Sequence, residues 1–368
     1  MRLSQTLGAA ALALLLVTPG CRRGAVRPEP APEPPFEPDW ERDNPLLPLP
    51  TPPLGMEVDF AAARGVKVTP GRVRLGRWLF YDVRLSADAT VSCATCHLPE
   101  HAFSEIAPRS TGIRGQKGTR KSPPIVNAAF NVFDSFFWDG RAGSLAEQAK
   151  APIVNPVEMG NTHENVVRTL SGIGGYRRAF REAFGDDGVD IDRVADAIAA
   201  YEATRLSGNS AYDRFASGEV AALSPGARQG MQVFFGRGRC SACHLGPNFT
   251  DARFHNIGIG YDDGAPPPRT GFGDVGRYAV SGDPDDTGAF KTPTLRDVAK
   301  RAPYMHDGSV ETLPEAVMRY VRIAANPWLD PTMAEVRVFP FDIPSLVAFM
   351  EALDGTGYQD TPPATFPR

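Results

Sequence analysis

The chain has 368 residues, 42% of them hydrophobic, and at about 150 residues per domain this length suggests two globular units. Its 39 basic and 43 acidic residues nearly cancel, so net charge gives no argument for a nucleic-acid partner. Thirty-six glycines and 35 prolines punctuate the chain too often for a coiled coil or a helical membrane bundle.

Residues 1–21 read as an export signal, because Arg2 precedes the apolar run Leu7 to Val17, which is too short to span a bilayer. The segment ends in Thr18-Pro19-Gly20-Cys21 and resembles the lipobox of bacterial lipoproteins, in which the cysteine is acylated. Pro19 stands where that pattern has a small or aliphatic residue, so plain cleavage near Gly20 is the alternative. Residues 22–55 are rich in Pro, Glu and Arg, bury too little apolar surface to fold, and read as a semi-rigid tether.

A helix is predicted over 70–81, with Thr69 as N-cap, Pro70 at its first position, and Leu75 and Leu79 four apart. Cys93-Ala94-Thr95-Cys96-His97 follows about a dozen residues later. Ser144 and Glu147 have the spacing of a capping box, and Val194, Ile198 and Tyr201 form a helical stripe. Ser224-Pro225 opens another helix through Met231, Phe234 and Phe235, which leads to Cys240-Ser241-Ala242-Cys243-His244. A helix followed shortly by C-x-x-C-H thus occurs twice, as an internal duplication would give. Residues 245–300 are rich in Gly, Asp and Pro and read as a long irregular layer of the kind that serves function or is anchored by a ligand. Thr312 and Glu315 form a second capping box opening a helix through Val321, and Asp342 is expected to cap a last helix ending at Gly355.

Four of the five cysteines lie in the two C-x-x-C pairs, and each pair is followed by a histidine. Two thiols at this spacing add to the vinyl groups of one haem while the adjacent histidine reaches its iron from the same turn. A thioredoxin-like pair or a zinc site has no need of the repeated histidine, and such close pairs make poor disulfide staples. The pattern therefore predicts two covalently bound haem c groups, with His97 and His244 as iron ligands. Haem attachment of this kind occurs outside the cytoplasm, in keeping with export to the periplasm or cell envelope. The opposite face of each iron decides between carrier and enzyme: His or Met closes it in a carrier, and an enzyme leaves it open. His101, His163, His255 and His306 remain, and lone histidines are more often structural. Met305 and Met318 are candidates at the second haem.

From about Leu75 to the last helix the sequence resembles the bacterial di-haem cytochrome c peroxidase and MauG family. The likeness rests on Leu85-Ser86, Phe137-Trp138-Asp139-Gly140-Arg141-Ala142, Leu145-Ala146-Glu147-Gln148-Ala149, Val157-Glu158-Met159, Thr292-Pro293-Thr294-Leu295-Arg296 and Ala302-Pro303-Tyr304-Met305-His306-Asp307-Gly308. The resemblance implies a mainly α fold of two cytochrome c-like haem domains packed face to face, with long irregular loops. These would be residues 56–210, carrying the peroxidatic haem, and 211–358, carrying the electron-transfer haem, before a tail at 359–368. It also implies hydrogen peroxide as substrate, a homodimer, and as partner a small periplasmic electron-donor protein or a protein whose side chain is oxidised. Membrane contact would be confined to a lipid anchor at Cys21.

By the same resemblance Glu158 is the acid/base beside the first iron, Gln148 positions peroxide, and Trp138 relays electrons between the haems. Read without it, these are a surface carboxylate, a solvated helix residue and a buried aromatic. Three positions depart from the conventional peroxidase. Ile113 stands where those enzymes have a distal histidine, so the first iron is expected to be open or water-bound. Tyr320 stands where they have the methionine ligand of the second haem, as in MauG-like members; Met318, two residues away, faces elsewhere on a helix. Lys121 replaces an asparagine that helps to bind calcium between the haems, which puts calcium in doubt. The alternative from another class is a non-enzymatic di-haem electron-transfer cytochrome with both irons closed.

Overall fold

The computed structural model describes residues 38–368 apart from 64, 131, 132, 134 and 265–270. The export segment, Cys21 and residues 22–37 of the tether lie outside the described residues. Residues 38–55 correct the tether reading: Asp39–Asp43 is a short helix whose Trp40 is buried against Trp78, and Asn44 Nδ2 donates to the Arg74 carbonyl at 3.0 Å, so apolar and polar contacts dock this stretch on the Pro70–Tyr81 helix. Helices carry the architecture: α1 (Pro70–Tyr81), α2 (Leu145–Val154), α3 (His163–Ser171), α4 (Gly174–Phe184), α5 (Ile191–Ala203), α6 (Pro225–Phe235), α7 (Leu313–Val321) and α8 (Ile343–Glu351), with shorter helical turns between them. Strand among the described residues is confined to an antiparallel ribbon of β1 (Phe254–His255) and β2 (Phe290–Lys291), with Phe254 opposite Lys291. The chain is mainly α, as its sequence predicts. No helix among the described residues is long and apolar enough to cross a membrane.

The helix starts follow their local chemistry. Thr69 Oγ1 accepts the Arg72 amide ahead of Pro70, and Ser224 does the same for Ala227 ahead of Pro225. At α7, Thr312 and Glu315 cap one another's backbone. Two expectations need correction. Ser144 accepts the Glu147 amide, but the Glu147 carboxylate turns to the Gly143 amide at 2.7 Å, so the box is half formed. Asp342 does not cap α8, because its carboxylate is taken by Arg237 and by the Phe339 amide. That helix ends at Glu351, short of Gly355.

Two helix pairs form the frame. α1 lies so close to α5 that a Cβ on Gly76 would sit 1.8 Å from the Ala197 carbonyl oxygen, and α6 meets α8 in the same way, Gly230 against the Ser345 carbonyl at 1.8 Å. In both pairs the glycine-bearing helix ends in two aromatics, Phe80-Tyr81 or Phe234-Phe235, ahead of a C-x-x-C-H motif. Leu75, Phe80, Phe103, Phe180 and Tyr201 belong to one apolar cluster, and Phe234, Phe249, Leu346, Phe349 and Leu353 to another. The end of the chain returns to the first: Tyr358 joins its cluster and, in the tail, Asp360 pairs with Arg77 at 2.9 Å. Because neither carbonyl can retreat without moving a helix, Gly76→Ala is expected to lower stability by about 1–3 kcal/mol. Chemical denaturation of the haem-loaded protein measures this, and an unchanged midpoint would contradict the packing described.

Candidate functional site

Both C-x-x-C-H motifs fold alike. Each histidine amide bonds back to the first cysteine carbonyl, His97 to Cys93 at 3.0 Å and His244 to Cys240 at 2.9 Å. Each imidazole Nδ1 then meets the carbonyl of a phenylalanine held in the left-handed region, His97 to Phe103 at 3.0 Å and His244 to Phe249 at 3.1 Å. A carbonyl only accepts, so Nδ1 carries the proton and Nε2 keeps its lone pair. Burial pushes both imidazoles down to about 4, which keeps them neutral.

Two cavities open at these histidines. The first, about 540 Å³, is walled by Cys93, Cys96 and His97, and the second, about 190 Å³, by Cys240, Cys243 and His244. The four cysteines form no disulfide, and burial pushes the Cys96 and Cys240 thiols up to about 12. Two cysteine sulfurs and one imidazole with a defined tautomer on the wall of each cavity suit thioether attachment and ligation of haem. The residues present therefore fit haem c at both places.

α2 brings Gln148 to the wall of the first cavity, and the turn after it brings Glu158. Asn155 Nδ2 donates to Glu158 Oε1 at 2.8 Å, and the Ile113 amide donates to the Glu158 carbonyl at 2.8 Å. Gly112 makes that brace possible, since a Cβ there would meet the Val157 carbonyl oxygen at 1.9 Å. The Ile113 side chain points away into the apolar cluster and does not line the cavity. Among the described residues of this wall His97 is the only imidazole; Met159 supplies a thioether from the apolar cluster. Burial raises the Glu158 carboxyl above the usual range, against the opposing pull of Arg141 and Asn155.

Trp138 lines both cavities. Its indole N–H donates to the Lys121 carbonyl at 2.7 Å, and its own carbonyl accepts the Lys291 amide of β2 at 2.8 Å. The Lys121 amide is tied to the His306 carbonyl at 2.8 Å, and its ammonium donates to the Glu105 carbonyl. Lys121 is buried, which pulls its ammonium down to about 8.

In the second cavity α7 places Tyr320 on the wall, with Met305, His255 and His306, while Met318 packs into the neighbouring apolar cluster. Burial, then the nearby Cys240 and Cys243, raise the Tyr320 phenol. His255 is held between Asp330 at 2.6 Å and Asp251 at 2.8 Å; burial lowers it, but these two carboxylates and Cys243 outweigh that and raise it to about 11, and the His306 ring stacks on Phe290. His101 and His163 bond to the carbonyls of Lys300 and Lys150 and line neither cavity. The first wall also holds Glu202, buried with one carboxylate oxygen unpartnered and pushed up to about 8 by desolvation. Its signal in the sequence was a carboxylate in the otherwise apolar stretch Ala197–Ala203 of α5.

A profile of the family described as di-haem cytochrome c peroxidase matches residues 70–221. The chain is 40% identical to the cytochrome c551 peroxidase of Pseudomonas aeruginosa over 79% of this chain and 81% of that one. It is 38% identical to the methylamine utilization protein MauG of Methylorubrum extorquens, over 78% and 79%. Among solved structures, a MauG-like protein associated with microbial copper homeostasis matches with a TM-score of 0.71 at 30% identity, over 88% of this chain and 97% of that one. The di-haem peroxidase BthA of Burkholderia thailandensis matches with a TM-score of 0.67 at 25% identity, over 84% and 93%. With its paired C-x-x-C-H cavities and these relatives, the chain belongs to the di-haem cytochrome c peroxidase and MauG family.

Proposed function

We propose that the protein is a di-haem c-type peroxidase that reduces hydrogen peroxide in the first cavity and takes electrons from an external donor. The first cavity wall carries this reading, since it sets His97, Glu158 and Gln148 around one space with no second imidazole among the described residues. When bound, the haems supply the iron centres for O–O cleavage and electron storage. Cys93 and Cys96 would hold one and Cys240 and Cys243 the other, with His97 and His244 as ligands.

Glu158 has the surroundings of a proton shuttle. Its carboxylate takes the proton from one oxygen of the peroxide and delivers it to the other, which leaves as water. Gln148 hydrogen-bonds the substrate so that this transfer is short. Trp138, on both cavity walls, is the relay between them. Tyr320 would hold the second haem iron together with His244, through its phenolate oxygen. Lys121, at the position of the asparagine that helps to bind calcium in the family, is buried with its ammonium donating to the Glu105 carbonyl, and this cation supports a reading without calcium there.

The repeated motif geometry and the two apolar clusters favour two cytochrome c-like halves, residues 56–210 and 211–358, facing each other across Trp138. The export signal read in residues 1–21 puts the protein in the periplasm or cell envelope, with Cys21 as lipid anchor. A small periplasmic redox protein is the donor in the ordinary peroxidase reading. Tyr320 on the second cavity and Ile113 off the first favour a second reading, MauG-like oxidation of a partner protein's side chain.

Replacing Cys240 and Cys243 with alanine should leave one covalent haem per chain by the pyridine haemochrome assay; two would contradict the attachment. Glu158→Gln should keep both haems while kcat/KM for hydrogen peroxide falls about 10²–10⁴-fold, and an unchanged value would remove Glu158 from proton transfer. Because burial raises this carboxyl and its ionised form is the active one, wild-type activity should fall with decreasing pH through a value above the usual glutamate range. That limb should vanish in the variant. Tyr320→Phe should change the absorption spectrum of one haem and leave the other intact; if neither changes, Met305 takes the ligand position.

A further inference from the structure

Behind the first cavity lies a hydrogen-bonded tyrosine pair that the proposed peroxide chemistry does not use. Ile198 and Glu202 of α5 face the cavity, and Tyr201, between them in sequence, is fully buried and does not line it. Its phenol is 2.6 Å from Asp360 Oδ2 and 3.2 Å from the phenol of Tyr81 on α1. A phenol has one proton to donate, so Tyr201 gives its own to the shorter, charged contact and accepts from Tyr81. Asp360 is fixed by Arg77 at 2.9 Å and Arg205 at 3.5 Å, and the Arg205 guanidinium lies over the Tyr201 ring at 4.6 Å.

Aromatic rings connect this pair to the cavity. The carbonyl of Phe103 accepts the His97 ring N–H, and the Phe103 ring lies 6.4 Å from that of Tyr201. Phe80 bridges the two at 5.8 Å and 5.1 Å, and Tyr81 lies 6.2 Å from Tyr201. Phenylalanine would fill both tyrosine positions of this apolar cluster without bringing phenols, a carboxylate and two guanidiniums into it at the usual desolvation cost. Burial raises both phenols, Tyr81 to about 12, so neither ionises at rest.

We propose that Tyr201, with Asp360 as its proton acceptor and Tyr81 as its neighbour, is a redox-active site that takes up an oxidising equivalent from the first cavity when no donor is docked. This rests on the peroxidase reading, in which hydrogen peroxide is the oxidant. Tyr201 loses one electron towards the cavity and its phenolic proton to Asp360, leaving a neutral phenoxyl radical. Tyr81 shares the radical by giving Tyr201 an electron, with its own proton moving along the bond between the two phenols. A one-electron reductant from solution restores the phenol, and the proton returns from Asp360. The pair would thus store oxidising power away from the cavity.

The test uses the full haem-loaded protein carrying ring-deuterated tyrosine, mixed with hydrogen peroxide without a donor, frozen, and examined by electron paramagnetic resonance. The expected result is an organic radical signal that narrows with the label and is lost in Tyr201→Phe. Asp360→Asn keeps both rings but removes the proton acceptor, so it should lower the radical yield at equal peroxide even if the Tyr201 variant folds poorly. A signal that survives Tyr201→Phe, does not narrow with the label, or is undiminished in Asp360→Asn would overturn the proposal. Peroxide consumption separates the two readings: stoichiometric consumption without a tyrosine radical rejects this inference alone, and no consumption either in these samples or with a one-electron donor added rejects the peroxidase reading and this inference with it.

Discussion

A neutral imidazole with one nitrogen tied to a backbone carbonyl offers a single lone pair in a fixed direction, and the rest of this molecule depends on that constraint being met twice. The carbonyls come from Phe103 and Phe249, both in left-handed conformation, at the ends of the short loops after each C-x-x-C-H turn. Were either carbonyl turned away, the buried histidine would have an unsatisfied N–H at a cost of about 1–3 kcal/mol and no defined tautomer. The cavities are therefore prepared by main-chain geometry, and the helix pairs α1–α5 and α6–α8 hold that geometry in place.

The second constraint is continuity between the sites. Trp138 could not belong to both walls without anchors on either side of it, and its anchors are backbone groups of Lys121 and Lys291. Lys121 is bonded in turn to His306, which faces the second cavity, so a short run of backbone hydrogen bonds joins the two. Side-chain chemistry then divides the labour. The first cavity gathers carboxylate and amide groups suited to a small polar substrate. The second gathers a phenol, a thioether and apolar residues, which suit an iron whose coordination stays closed.

Much of this was legible in the sequence where the signal was local. The starts of α1, α6 and α7 depend on a cap and a proline within four residues, and all three lie where expected. The two haem motifs are equally local, since cysteines and histidine share one turn. Asp342 misled because its carboxylate had a stronger claimant, Arg237, more than a hundred residues away. Glu202 was overlooked because a single carboxylate in a helical stripe looks like solvated surface until the cavity behind it is known. The acceptor carbonyls of Phe103 and Phe249 left no trace, because every residue has a carbonyl. Gly76 and Gly230 needed their partner helices before close approach could be inferred. Glu158, Gln148, Trp138 and Tyr320 were singled out by resemblance, and the structure places each on a cavity wall.

The central claim is that the first iron is open to a substrate while the second is closed. Electron paramagnetic resonance of the resting ferric protein with both haems bound reads this directly. The account expects a high-spin ferric signal from the first haem beside a low-spin signal from the second. Two low-spin signals with no high-spin component would contradict it and leave a cytochrome that only carries electrons.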